Sequence, residues 1–290
     1  MMDQVRIHAG DLELSGIFAR AVEPTDRPLL VCLHGGSYTS HYFNYQTQRT
    51  ESLFALAPAL GFSILAIDRP GYGAAADEPL PFDAQVDVLH AAIADARGKL
   101  GGMEPGYLLI GHSIGAMLAM LLAVRHPLDG LVGLDLSGAG LTYRPEARRS
   151  LTSFAAMDNP PRTADRVRRR ERMFGGPDTY RQEVAAEDLR KAPLSQPAEI
   201  REALDWEDRV HAVAPNIEQP VRFVVADQDA LWEAGAAMEQ AARRAFQRCG
   251  ALTVSTQRGA GHCLHLHKVA RAISLRTLAF AEEVATLGSI

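Results

Sequence analysis

One stretch of this chain limits its folding more than any other: Tyr107-Leu108-Leu109-Ile110-Gly111-His112-Ser113-Ile114-Gly115-Ala116. An apolar run of strand character leads into Gly-x-Ser-x-Gly. A helical run rich in Ala, Leu and Met, Ile114 to Arg125, follows at once. A serine on so sharp a strand-to-helix turn sits in strained backbone geometry, and the two flanking positions have room only for very small residues. The turn presents Oγ outward at a helix N-terminus, where backbone donors and the helix dipole favour developing negative charge. Gly-x-Ser-x-Gly by itself is common by chance, with the serine as a plain helix cap. The strand before it and the helix after it argue instead for a nucleophile.

The rest of the chain repeats that strand–helix rhythm. Val5 to Ala9 and Leu12 to Phe18 flank the turn pair Gly10-Asp11 and read as a hairpin. Short apolar runs follow at Leu29 to Leu33, Phe62 to Ile67, Tyr107 to Ile110, Leu131 to Leu136, Val221 to Ala226 and Leu252 to Ser255. Between them, helical patterns cover Thr50 to Leu60, Phe82 to Leu100, Ile114 to Arg125, Leu231 to Arg248 and His265 to Leu287. Such alternation implies βαβ units in an α/β fold, with a mostly parallel sheet covered by helices on both faces. The rhythm stops between about 140 and 215, where charged, proline-punctuated helical sequence replaces the strands. The expected organisation is therefore a core of residues 1–139 and 216–290, with 140–215 inserted after the sixth strand as a helical cap.

Bulk properties exclude several other classes. The 290 residues are 47% hydrophobic and 22% charged, with a net charge of −5, which argues against a nucleic-acid partner. Three widely spaced cysteines, Cys32, Cys249 and Cys263, form neither a disulfide framework nor a zinc pattern and suit a reducing cytoplasm. Met1 to Leu14 carries no continuous apolar run, and Ile114 to Val124 is too short to span a bilayer, so neither a signal peptide nor a membrane partner is expected. Oligomeric state is not legible.

Acyl chemistry at Ser113 needs two preorganised N–H donors. One is expected from Ile114, directly after the nucleophile. The other is expected from His34-Gly35-Gly36-Ser37 after the third strand, with Gly36 favoured and Ser37 second. The base is expected at His262 in Gly259-Ala260-Gly261-His262, after the last strand. Of the other histidines nearby, His265 and His267 read as surface or capping residues, and His34 and His112 as residues that orient the loops beside the serine. The base needs an acid to orient it. Val224-Val225-Ala226-Asp227-Gln228-Asp229 offers two, Asp229 matching better and Asp227 suited to capping the turn. Asp135, within the sixth strand, reads as structural.

Together these motifs resemble the α/β-hydrolase superfamily, specifically its capped serine members. The order Ser113, Asp229, His262 is that superfamily's order of nucleophile, acid and base, and Asp68-Arg69-Pro70-Gly71-Tyr72-Gly73 looks like its turn after the fourth strand. The resemblance implies eight strands with the second antiparallel, and an acyl-enzyme mechanism with no metal and no organic cofactor. Two departures stand out: Ala226 where glycine is frequent, and His267 where an acid is frequent.

The implied activity is hydrolysis of an ester, lactone or thioester of a small molecule. C–C bond hydrolysis is an alternative, as is lyase, isomerase or cyclase chemistry on the same fold. A binding protein that merely retains the triad ranks last. Tyr38, Phe43, Tyr143, Phe154, Met157, Met173, Phe174 and Trp232 are candidates to line an apolar pocket under the cap. The run Arg166-Val167-Arg168-Arg169-Arg170-Glu171-Arg172 suggests an anionic substrate, but interleaved acids (Asp165, Glu171, Glu183, Glu187) favour a solvated face.

Overall fold

The computed structural model describes residues 2–23, 26–48, 50–101, 105–126, 129–157, 172–194 and 196–287. The strands are β1 (Met2–Ala9), β2 (Leu12–Ala19), β3 (Leu29–Leu33), β4 (Ile64–Ile67), β5 (Tyr107–His112), β6 (Leu131–Ser137), β7 (Val221–Ala226) and β8 (Leu252–Gln257). They form one sheet in the order β1-β2-β4-β3-β5-β6-β7-β8. β2 runs antiparallel to both of its neighbours, and every pairing from β4 to β8 is parallel. The helices are α1 (Leu53–Leu56), α2 (Phe82–Ala96), α3 (Ile114–Arg125), α4 (Pro145–Ala155), α5 (Gln182–Lys191), α6 (Pro197–Leu204), α7 (Trp206–Val213), α8 (Ala236–Ala245) and α9 (Ala270–Leu287).

β3 and β4 are apolar at every position because both of their faces are covered. Leu29, Val31 and Leu33 of β3 join one core layer with residues of α2 and α3. Leu30 and Cys32 point the other way, into a layer with Phe54 of α1 and Leu278 and Phe280 of α9. α3 is buried from Ile114 to Leu122 and so shows no polar face until its last turn.

Three helical expectations are corrected at their boundaries. Thr50 to Leu60 is not one helix. Ser52 caps a single turn by accepting from Ala55 N, and a 3-10 turn, Pro58–Leu60, then leads to Gly61 at φ 85°. Proline cannot continue the α-helical hydrogen-bond ladder. Leu231 to Arg248 shortens to α8, because Gly235 at φ 89° precedes it and the Leu231 and Trp232 amides bond to Asp229 instead. His265 to Leu287 resolves into a 3-10 turn, Leu264–Leu266, followed by α9.

Helices α4 to α7 all lie between β6 and β7. Arg162, Arg166, Arg168, Arg169, Arg170 and their neighbours in 158–171 lie outside the described residues. Among the described residues, no helix is long and apolar enough to cross a membrane, and no group of three or more His, Cys, Asp or Glu side chains is arranged to hold a metal ion.

Candidate active site

Ser113 stands between β5 and α3 at φ 54°, ψ −121°, a conformation that a non-glycine residue holds only when its surroundings enforce it. Its amide donates to Ser137 O of β6 at 2.7 Å, and its carbonyl accepts from Ala116 N at 2.8 Å. The flanking glycines are steric necessities. A Cβ at Gly111 would lie 2.5 Å from Ala116 Cα, and one at Gly115 would collide with the Leu33 carbonyl.

His262 reaches the serine from the loop after β8, with Nε2 3.0 Å from Ser113 Oγ. Its Nδ1 lies 3.0 Å from Asp229 Oδ2, and both side chains of that pair are almost wholly buried. The second oxygen of Asp229, Oδ1, accepts from Leu231 N at 2.8 Å and Trp232 N at 3.3 Å. Arg144 Nε donates to the Asp229 carbonyl at 2.7 Å and so ties the acid's backbone to the segment after β6. Asp227 has different partners: its Oδ1 accepts from Gly259 N at 3.0 Å and Ala260 N at 3.3 Å. It caps the turn that leads to His262 and does not touch the imidazole. Asp135 pairs with Arg222 Nη1 at 2.7 Å inside the sheet.

The glycine loop is pinned peptide by peptide. Arg69 N donates to His34 Nε2 at 3.2 Å, so the His34 proton sits on Nδ1 and goes to Gly35 O at 2.8 Å. In a trans peptide the carbonyl of Gly35 and the N–H of Gly36 point in opposite directions, so holding one aims the other. Ser37 adopts φ 61°, and its amide donates to the Tyr72 hydroxyl at 2.9 Å. Of the two candidate donors, the Ser37 amide is therefore engaged elsewhere. Gly36, Ser37, Ser113, Ile114 and His262 all line one cavity.

That cavity holds about 50 Å³ of space. Tyr38, Tyr143, Phe154, Met173 and Trp232 line it as expected, and Tyr143 stacks on Trp232 with ring centroids 3.7 Å apart. Phe43 and Phe174 lie elsewhere, packed in the second core layer, and Met157 is 39% exposed and outside the lining. The sequence missed Met117, Leu151, Ile200, Ala203 and Leu231, ordinary aliphatic residues with no signal beyond helical periodicity. It also missed Arg144, and it read Tyr72 only as part of a turn.

His265 and His267, read from the sequence as surface or capping residues, are both buried. Gly261 N donates to His267 Nε2 at 2.9 Å, which places the His267 proton on Nδ1 beside Thr179 Oγ1 at 3.1 Å. His267 thus fixes the residue preceding His262, a task the helix-opening pattern did not suggest. Burial pushes both imidazoles down to about 4, holding them neutral. His34 and His112 are likewise pushed well below the usual imidazole range, first by burial and then by nearby cationic or imidazole groups. His112 stacks on Tyr42 at 4.4 Å and lies 5.1 Å from the His262 ring, in keeping with a loop-orienting role.

Comparison with known proteins agrees with this architecture. The mouse sn-1-specific diacylglycerol lipase ABHD11 is 28% identical over 135 residues, which are 46% of this chain and 40% of that protein; the match thus spans well under half of the relative's length. A carboxyl esterase from Bacillus coagulans superposes with a TM-score of 0.69 at 15% identity, covering 100% of this chain and 98% of its own. A bromoperoxidase from Bacillus anthracis superposes with a TM-score of 0.67 at 14% identity, covering 97% and 100%. At such identities the likeness concerns the fold alone, which an esterase and a bromoperoxidase share. The sequence profile of the alpha/beta hydrolase family matches residues 30–272, most of the chain. This protein belongs to the alpha/beta hydrolase family.

Proposed function

We propose that the protein is a serine hydrolase that cleaves an ester, lactone or thioester bond of a small acyl compound, with Ser113 as nucleophile, His262 as base and Asp229 as the acid that orients it. The reading rests on one observation: an unbroken relay, 3.0 Å from Ser113 Oγ to His262 Nε2 and 3.0 Å from His262 Nδ1 to Asp229 Oδ2, opening into an apolar cavity.

In this mechanism Ser113 Oγ attacks the substrate carbonyl carbon while His262 Nε2 takes the hydroxyl proton. The carbonyl oxygen becomes an oxyanion, held by the amides of Gly36 and Ile114. Ile114 opens α3, so its N–H is among those left without an intrahelical partner. Collapse of the intermediate breaks the acyl–oxygen or acyl–sulfur bond, and His262 returns the proton to the leaving group. Water, deprotonated by His262, then releases the acid and restores Ser113. Asp229, accepting a hydrogen bond from Nδ1–H, keeps Nε2 aimed at the serine and stabilises the imidazolium that forms. Helices α4 to α7 act as the cap that limits the site to small molecules.

A p-nitrophenyl ester chain-length series tests the proposal. The lining of Tyr38, Met117, Leu151, Ile200 and Leu231 favours an aliphatic acyl group. The expected outcome is turnover with a clear chain-length optimum that disappears in Ser113→Ala. Equal turnover by Ser113→Ala overturns the nucleophile assignment.

A further inference from the structure

Glu199 lies on α6, in the segment between β6 and β7, yet its side chain is only 4% exposed. Its carboxyl reaches down to the loop after β4. Oε1 accepts from Arg69 Nη1 at 2.6 Å, and Oε2 accepts from the Tyr72 hydroxyl at 2.6 Å. That hydroxyl, its one proton committed to Glu199, accepts in turn from Ser37 N at 2.9 Å. Arg69 is wholly buried; its Nε donates to His34 O at 2.9 Å, and its guanidinium lies 5.1 Å from the Tyr72 ring centroid. Glu199 is also close to the oxyanion loop itself, since a Cβ on Gly36 would stand 3.2 Å from its Oε2.

We propose that Glu199 is a positioning residue that assembles the oxyanion hole from the cap side, acting through Tyr72 on the Gly36–Ser37 peptide. The inference rests on the serine-hydrolase reading above. Its physical basis is the order of the contacts. His34 fixes the Gly35–Gly36 peptide and Tyr72 fixes the Gly36–Ser37 peptide, so both sides of the donor residue are held. Glu199 meets the second clamp directly at Tyr72, and the first only through Arg69, whose Nε holds the His34 carbonyl. The Tyr72 hydroxyl can point its proton to either side of the ring axis, and a proton turned toward Ser37 would oppose the Ser37 N–H instead of accepting from it. Glu199 claims that proton. Arg69 neutralises the acid, so that its negative charge does not oppose an oxyanion forming beside Gly36. Displacement of α6 from the core would therefore loosen the hole as well as open the cavity, coupling catalytic competence to cap position.

The test compares Tyr72→Phe, Glu199→Ala, Glu199→Gln and Gln196→Ala with the parent, each checked for folding by its melting temperature. Two readouts are used: steady-state hydrolysis of p-nitrophenyl acetate and the rate at which a fluorophosphonate labels Ser113. Tyr72→Phe and Glu199→Ala are expected to lower kcat by about 10- to 100-fold, below the full cost of deleting an oxyanion donor, with KM changed by less than about threefold. Labelling should slow in parallel, because phosphonylation develops charge at the same donors. Glu199→Gln retains an acceptor for the Tyr72 proton and should recover most of the loss. Gln196→Ala removes another tie from this segment to the same loop, its 2.7 Å bond to Gly71 O, and should leave kcat unchanged. If Tyr72→Phe does not fold, the Glu199→Ala and Glu199→Gln pair carries the comparison. Folded variants that keep the parental kcat and labelling rate overturn the inference while Ser113-dependent turnover stands. Parental turnover by Ser113→Ala removes the underlying reading, and the inference with it.

Discussion

Strand β3 meets its neighbours through Leu29, Leu30, Val31, Cys32 and Leu33, all at most 1% exposed. Helices α5 to α7 reach the same core through apolar residues, among them Val184, Ala203, Trp206 and Val210, and also through acids. Glu187 accepts from Thr47 N and Oγ1 at 2.9 and 2.7 Å, Asp188 from the Tyr45 hydroxyl at 3.0 Å, and Glu202 from Phe82 N at 2.9 Å. Glu207 accepts from Tyr143 N at 2.7 Å, and Glu199 holds Arg69 and Tyr72. Apolar burial is nondirectional and roughly proportional to area, so it stabilises the sheet without singling out one placement of a covering helix. A buried carboxyl is costly unless its partners are present in good geometry, so Glu187, Asp188 and Glu199, the buried ones among these acids, each define one seat for the segment that carries them. Apolar packing stabilises both regions, and in the segment after β6 the buried acids add registration.

The largest effect expected from this contrast concerns the two acids after β7. They are two positions apart, but in the proposed mechanism one orients the base, while the other caps a turn. Asp229→Asn should lower kcat by roughly 10³–10⁴-fold, since an amide cannot hold the imidazole in the required tautomer. Asp227→Asn should stay within about fivefold in kcat and cost about 1 kcal/mol of stability from its weakened turn bonds. Both are read by steady-state kinetics and denaturant melts, and a reversed ranking would exchange the two assignments.

Next comes the registration itself. Arg69→Met strands the Glu199 carboxyl in the interior and should destabilise by about 3–5 kcal/mol in urea unfolding. Arg6→Ala, which breaks the exposed pair with Glu13, should change stability little. Equal effects would mean that the buried pair does not seat the segment.

The smallest effect is a pH dependence. His267 is neutral in the folded protein, its value depressed by burial to about 4 from the usual 6.5. Between those two values the unfolded chain binds a proton that the folded one does not, so stability is full above pH 6.5 and declines as pH falls toward 4. Thermal melts of His267→Gln should show a shallower decline over that window than the parent. An identical slope would contradict the buried, neutral assignment.

The sheet and the elbow were legible because their signals are local. A fully buried strand requires an apolar run, and the tight approach of Ala116 and Leu33 to the elbow requires Gly111 and Gly115. Ser113, His262 and Asp229 could be ranked because each sits at a strand end, where chain order fixes the geometry. The segment after β6 was opaque for the opposite reason. Glu187 and Glu199 look like the acids of any solvated helix, and nothing within α5 or α6 says that their partners are Thr47 and Arg69. His265 and His267 misled similarly, since the contacts that bury them come from Tyr42 and Thr179, far away in sequence. Boundaries failed where one residue overrules a periodic pattern, as Pro58 and Gly235 do.

The central claim, that Ser113 is the nucleophile of the relay through His262 to Asp229, is tested most directly by the mass of the protein after reaction with a fluorophosphonate, with the modified peptide sequenced. The account predicts a single adduct on Ser113 in the parent, none in Ser113→Ala, and labelling slowed by orders of magnitude in His262→Ala. An adduct on another residue, or ester turnover that survives complete labelling of Ser113, would contradict it.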